Sequence, residues 1–259
     1  MKVNHNISYS SKAILFLFLL ILSVTFLIPI TFLTSSAFAM QKWQANYDKS
    51  LKLFKSKKYD SALKFALTGV KENKNPYTLE LTGNILQLLK KFKSSSRYFK
   101  KSIAAAVSGS TKTGSKEQII VKNKMKFIKM VKNNIGLNYL LTGNMLLRKA
   151  KTKAAIKSYK EGMTYADEKR LSDILMLSSA LAYENLGKFN NAVNYAKKVT
   201  DNDPKSAFAY FIKGRGEYDL KEIDASIKDL KKALKLKPEN KLFKKSLKTA
   251  ELTEKSIKR

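Results

Sequence analysis

"LTGNILQLLKKFKSSSRYFKKSI" at residues 81–103 and "LTGNMLLRKAKTKAAIKSYKEGM" at 141–163 open on the same four letters. Each copy reads as a helix of about four turns, a short break and a second amphipathic helix. Twelve residues after the small residue of the first helix comes another in the second: Gly83 then Ser95, Gly143 then Ala155. The same step recurs at Ser50 and Ala62, Ala180 and Ala192, and Gly214 and Ser226. A small residue at matched depth in two successive helices lets their axes approach where they cross, which predicts a row of helical hairpins.

The hairpins repeat. Ala180 to Gly214 is 34 residues, and so is Pro204 to Pro238. Proline cannot continue a helix and restricts the residue before it, so both prolines are expected just past second helices. A unit of that length buries its open apolar face on the next copy, which predicts an all-α solenoid.

Residues 173–206, "DILMLSSALAYENLGKFNNAVNYAKKVTDNDPKS", carry Ala180, Tyr183, Gly187, Phe189, Ala192 and Pro204 in the order that resembles a tetratricopeptide repeat. Residues 207–240 resemble it through Tyr210, Gly214, Ser226, Ala233 and Pro238. Looser units are read at 43–76, 76–107 and 136–169, a basic insertion at 108–135 and a capping helix at 241–259. The resemblance implies a right-handed superhelical solenoid of about five such hairpins over 40–259. It also implies a concave groove lined by first helices. That face would include Asn84, Leu140, Asn144, Leu147, Leu177, Leu181, Phe208, Phe211, Arg215 and Tyr218. Asn84 and Asn144 would point into it, where a carboxamide both donates and accepts. Some members clamp an acidic tail with Lys, Asn and Arg; here Leu140, Leu177, Leu181 and Phe211 stand at those places, which suits an apolar or amphipathic helix instead.

The chain begins with Lys2 and Lys12, an apolar run at 13–33, and "TSSAFA" before Met40. This is the order of a secretory signal peptide cut after Ala39. The run is also long enough to stay as a membrane anchor, and Lys42, Lys49 and Lys52 follow it. Either way, export to the periplasm or cell envelope is expected. Cysteine is absent and the single histidine, His5, lies in the leader, which removes thiolate, most zinc and triad chemistry. No metal or cofactor is expected.

The formal net charge of +31 is concentrated. Residues 81–160 hold nineteen Lys and Arg against the single acid Glu117. Of 51 basic residues only five are Arg, so part of this is composition. A block of one sign nevertheless fits an anionic surface, and Lys90, Lys91, Lys93, Lys122, Lys124, Lys126, Lys129 and Lys132 are its candidate contacts. In "IIVKNKMKFIKMVK", Ile120, Phe127, Ile128 and Val131 fall on one helical side and Lys122, Lys126 and Lys129 on the other. That pattern serves either a membrane surface or packing on a neighbour. Lipid, acidic polymer or an acidic protein are the partners considered; nucleic acid ranks last, for want of a recognised module.

Catalytic motifs fail on inspection. "GSTKTGSK" at 109–116 has Ser115 where a phosphate loop needs Lys, and no strand precedes it. "SALK" at 61–64 and "DNDP" at 201–204 lack the context for a nucleophile or a calcium loop. The expected role is a non-enzymatic adaptor of the envelope that binds another envelope protein in the groove. The alternative is an anion-surface binder acting through 81–160.

Overall fold

The structure, a computed structural model, describes residues 42–108 and 117–259, for 117–122 the backbone only. The apolar run at 13–33, the cleavage site and most of the Gly/Ser/Thr loop lie outside those residues. Every regular element among the described residues is an α-helix, and among these residues no helix is long and apolar enough to cross a membrane.

The chain divides into two compact units, Met1–Lys74 and Asn75–Arg259. In the first, helix α1 (42–55) pairs with α2 (Tyr59–Glu72). Ser50 donates its hydroxyl to the Ala62 carbonyl at 2.9 Å, and Ala62 and Ala66 are fully buried. Asn46 and Lys42 both reach Glu72, at 2.9 and 3.5 Å.

The second unit runs α3 (Pro76–Leu88), α4 (Phe92–Ser108), α5 (Glu117–Arg148), α6 (Thr152–Met163), α7 (Lys169–Glu184), α8 (Phe189–Asn202), α9 (Ala207–Asp219), α10 (Ile223–Leu236) and α11 (Lys241–Ile257). Pro204 and Pro238 sit two residues beyond α8 and α10. Asn75 caps α3 by accepting from the Thr78 amide, and Asn240 caps α11 by accepting from Leu242 and Phe243. Each cap satisfies amides that the helix cannot pair internally.

All ten residues of the twelve-residue steps are buried. The glycines are there because nothing larger fits. A Cβ on Gly83 would stand 2.5 Å from the Phe99 ring, one on Gly143 2.3 Å from the Tyr159 ring, and one on Gly214 2.9 Å from Leu230. The three obstructing side chains each lie sixteen residues after their glycine, one turn past the small residue of the second helix.

The turns inside the hairpins share one backbone device. Lys57, Lys90, Ala150, Gly187 and Lys221 have φ between 54° and 67°, and each lies seven residues after the small residue of its first helix. The next amide closes back on a carbonyl five residues earlier, as Lys91 N–H to Leu86 and Lys188 N–H to Tyr183, both near 2.9 Å. This is the left-handed closure of a helix C-terminus, which usually falls to glycine. Only one of the five has it.

In the second unit the first helices of successive hairpins meet, α5 with α7, α7 with α9 and α9 with α11, whereas no comparable contact joins the second helices α4, α6, α8 and α10 to one another. The hairpins therefore splay on the second-helix side, and the first helices form the inner wall. The core follows that wall, from Leu140 and Tyr159 through Leu175, Ala182 and Phe211 to Phe243 and Leu247 of α11.

The basic insertion becomes part of α5, an N-terminal extension that makes this helix 32 residues long. Val131 and Ile135 of the extension pack on Phe99 of α4, with Ile103, Phe127, Tyr139 and Tyr165 around them. Phe127 meets Tyr77 of α3 edge-on at 5.1 Å. The apolar side of "IIVKNKMKFIKMVK" is thus a packing face where it is described: Ile128 and Val131 are buried.

Candidate functional site

The inner wall is built from one helix in two. At the α3–α5 seam it is a net of carboxamides. Gln87 donates to Asn138 Oδ1 at 2.8 Å and to the Asn134 carbonyl at 3.3 Å, and Asn134 donates to Asn84 Oδ1 at 3.3 Å. Asn84 in turn donates to Glu80, whose carboxyl is raised above its ordinary value by burial and partly restored by that bond.

At the α7–α9 seam Arg215 lies 3.7 Å from Glu184, whose side chain is 6% exposed. Glu184 is raised by burial, lowered by Arg215 and raised again by Asp219. Its Oε1 is buried with no hydrogen-bond partner among the described residues. A carboxylate oxygen left so is costly unless something arrives to donate to it. Between α9 and α11 a cleft of 350 Å³ is lined by Arg215, Tyr218, Asp219, Leu242, Lys245 and Thr249, among others. The Tyr218 hydroxyl meets that of Thr253 at 3.0 Å.

Apolar side chains stand proud along the same wall. Among the described residues, the exposed large hydrophobics Tyr77, Leu88, Met125, Met130, Met145, Ile174, Phe208, Leu242, Leu252 and Ile257 all belong to α3, α5, α7, α9 or α11, and only Val107 belongs to a second helix.

The structure separates the expected groove residues. Phe208 is exposed, and Leu147, Leu177, Leu181, Arg215 and Tyr218 are half-buried on the wall. Phe211 is corrected: it is 1% exposed and stacks on Phe243 of the capping helix with ring centroids 4.6 Å apart, so no partner reaches it. Leu140 is likewise core, 8% exposed. Asn144 is exposed, but its Oδ1 accepts the Tyr159 hydroxyl at 2.7 Å, and Asn84 is held by Glu80 and Asn134. The two asparagines, expected to offer free carboxamides, are each engaged within the protein.

The basic candidates do not share one surface. Lys90 and Lys91 lie at the α3–α4 turn. Lys93 is on α4 beside Arg97, Lys100 and Lys101. Lys126 and Lys129 border a cleft of 890 Å³ with Met125, Met130 and Tyr77. Lys124 donates to the Val107 carbonyl, Lys132 pairs with Asp167 at 3.7 Å, and the Lys122 side chain lies outside the described residues. Sequence reasoning passed over Arg97, Lys100, Lys101, and the Leu242 and Lys245 of α11. The spacing of Leu242, Lys245, Thr249 and Leu252 repeats that of the inner face of α9, which was the available signal.

No curated protein matches the chain. Among solved structures, YrrB, a TPR protein with an unusual peptide-binding site, is similar at 15% identity over 78% of this chain and 90% of that one, with a TM-score of 0.48. The first TPR of Spaghetti (RPAP3), bound to an HSP90 peptide, is similar at 25% identity over 46% and 91%, TM-score 0.43. The second TPR domain of human RPAP3, in complex with an HSP70 peptide, is similar at 20% over 48% and 98%, TM-score 0.43. The family model for the tetratricopeptide repeat matches residues 175–206 and 209–240, within the α7–α8 and α9–α10 hairpins.

Proposed function

We propose that the protein is a non-enzymatic adaptor that holds an apolar or amphipathic helical segment of another protein against its first-helix wall. The observation that carries this is the distribution of exposed large apolar side chains, which among the described residues fall almost wholly on α3, α5, α7, α9 and α11, the helices of the wall. Scattered exposure would show no such alternation. A helix seated across α7, α9 and α11 would present apolar residues about two turns apart, near i, i+7 and i+14, to Ile174, Phe208 and Leu242.

The partner is an envelope protein, possession of an export leader being the support: Lys2 and Lys12, the apolar run at 13–33 and Ala37-Phe38-Ala39. The intact mass of the native protein tests the leader, a start at Met40 being expected and a start at Met1 showing it uncleaved.

Ile174→Asp with Phe208→Asp tests the wall, since both side chains are 41% exposed and can change without emptying the core. Capture of one dominant envelope protein from crosslinked cells should be lost while helicity and unfolding midpoint stay near those of the parent. Undiminished capture by the folded variant would rule out the wall as the binding face.

A further inference from the structure

We infer that the cleft between α4 and α5 is a binding site for oligophosphate groups, independent of what the first-helix wall holds. The cleft has a volume of 580 Å³, within the range of small-ligand sites. Lys93, Arg97, Lys100 and Lys101 line it from α4. At steps of four, seven and eight residues they form one stripe, with about 5 Å between successive turns.

Several cations of the second unit pair with carboxylates: Lys132 with Asp167, Lys213 with Glu217 and Asp229, Arg215 with Glu184. Among the described residues none of the four cations in the cleft has a carboxylate within 4.0 Å. Three of them lie over aromatic rings instead, Arg97 and Lys101 by Tyr98 and Lys100 by Tyr165. Arg97 is one of only five arginines against 46 lysines. Its planar fork recognises oxyanions in a way that an ammonium cannot reproduce.

From the α5 side, Asn138 orients a neutral donor of α4. Asn138, 1% exposed, donates to the hydroxyl oxygens of Ser95 and Ser96 at 2.9 and 3.1 Å while its own oxygen accepts from Gln87. Ser95 donates its own hydroxyl to the Gly83 carbonyl at 2.7 Å. Ser96, which lines the cleft, donates to no group among the described residues. Its oxygen is occupied from behind and its proton is free for a ligand. Four cations and a hydroxyl proton exceed what the two oxygens of a carboxylate can accept; phosphate brings three oxygens and up to two charges per group.

The test is equilibrium dialysis of the full protein with tripolyphosphate at physiological ionic strength, alongside citrate and alongside vesicles with and without phosphatidylglycerol. Arg97→Gln with Lys100→Gln should weaken tripolyphosphate binding at least about ten-fold. Lys55→Gln with Lys64→Gln, the same charge change on exposed residues of the first unit, should alter it less than about two-fold. Ser96→Ala leaves the net charge alone and should still cost about five-fold, because a hydrogen bond to an anion is lost. Equal losses for the two lysine-bearing pairs, or no loss in Ser96→Ala, would reduce the cleft to diffuse charge and overturn the site. Citrate binding as tightly as tripolyphosphate would overturn the phosphate assignment. Phosphatidylglycerol vesicle binding as sensitive to Arg97→Gln with Lys100→Gln as tripolyphosphate binding is would overturn the oligophosphate assignment, because a diester head group offers only two free oxygens and one charge. Tight tripolyphosphate with variant-insensitive vesicles identifies a soluble ligand, and binding of neither refutes the proposal.

Discussion

The repeated "LTGN" is where single residues explain most. Gly83 and Gly143 admit an aromatic ring of the next helix, and the following asparagines diverge because those rings differ. Tyr159 has a hydroxyl for Asn144 to accept; Phe99 has none, so Asn84 turns to Glu80 and Asn134. Gly143→Ala should destabilise by about 1–3 kcal/mol in urea unfolding, since forcing an extra carbon into the Tyr159 ring outweighs the gain in helix propensity. Asn144→Ala should cost about 1 kcal/mol. Burial pushes the Tyr159 phenol up to about 12, so its ultraviolet titration should begin well above that of an exposed tyrosine. The small residues were legible in the sequence because a fixed spacing survives any substitution that keeps size. The burial of Phe211 was not: nothing in the order of letters told that α11 would lay Phe243 over it.

At the scale of the element, the turns were legible only at Gly187. Lys57, Lys90, Ala150 and Lys221 adopt the same left-handed conformation, and a lysine there gives no signal. Ala150→Gly should stabilise by about 0.5 kcal/mol, relief of the left-handed strain exceeding the added freedom of the unfolded chain, and Gly187→Ala should cost a similar amount. Both are read from urea midpoints. The α9–α10 pair contains a buried triad in which Lys213 meets Glu217 at 2.6 Å and also Asp229. Burial raises Glu217 to about 7, opposed by Lys213 and reinforced by Asp229. The folded chain therefore holds that proton more tightly than the unfolded chain between about pH 4.5 and 7. Through that window this group's contribution to stability falls as pH rises. Glu217→Gln should match the parent near pH 4 and exceed it by about 1–2 kcal/mol at pH 8, the difference opening across the same window.

At the scale of the molecule, helical class and hairpin spacing were readable because they depend on period, whereas the cleft around Met125 and Met130 depends on which helices the α5 extension brings together. Phe243→Ala on α11 should destabilise by about 3–5 kcal/mol by uncovering Phe211, with the loss of cooperativity greatest toward the C-terminus in hydrogen exchange. The extension of α5 has the opposite reach. Repeats joined only by neighbour contacts yield to a pulling force one hairpin at a time, but α3, α4 and α6 all grip a single 32-residue rod. Drawn out between two handles, residues 76–163 should release in one rip, lengthening the tether by about 300 Å at full extension, where independent hairpins would give a staircase.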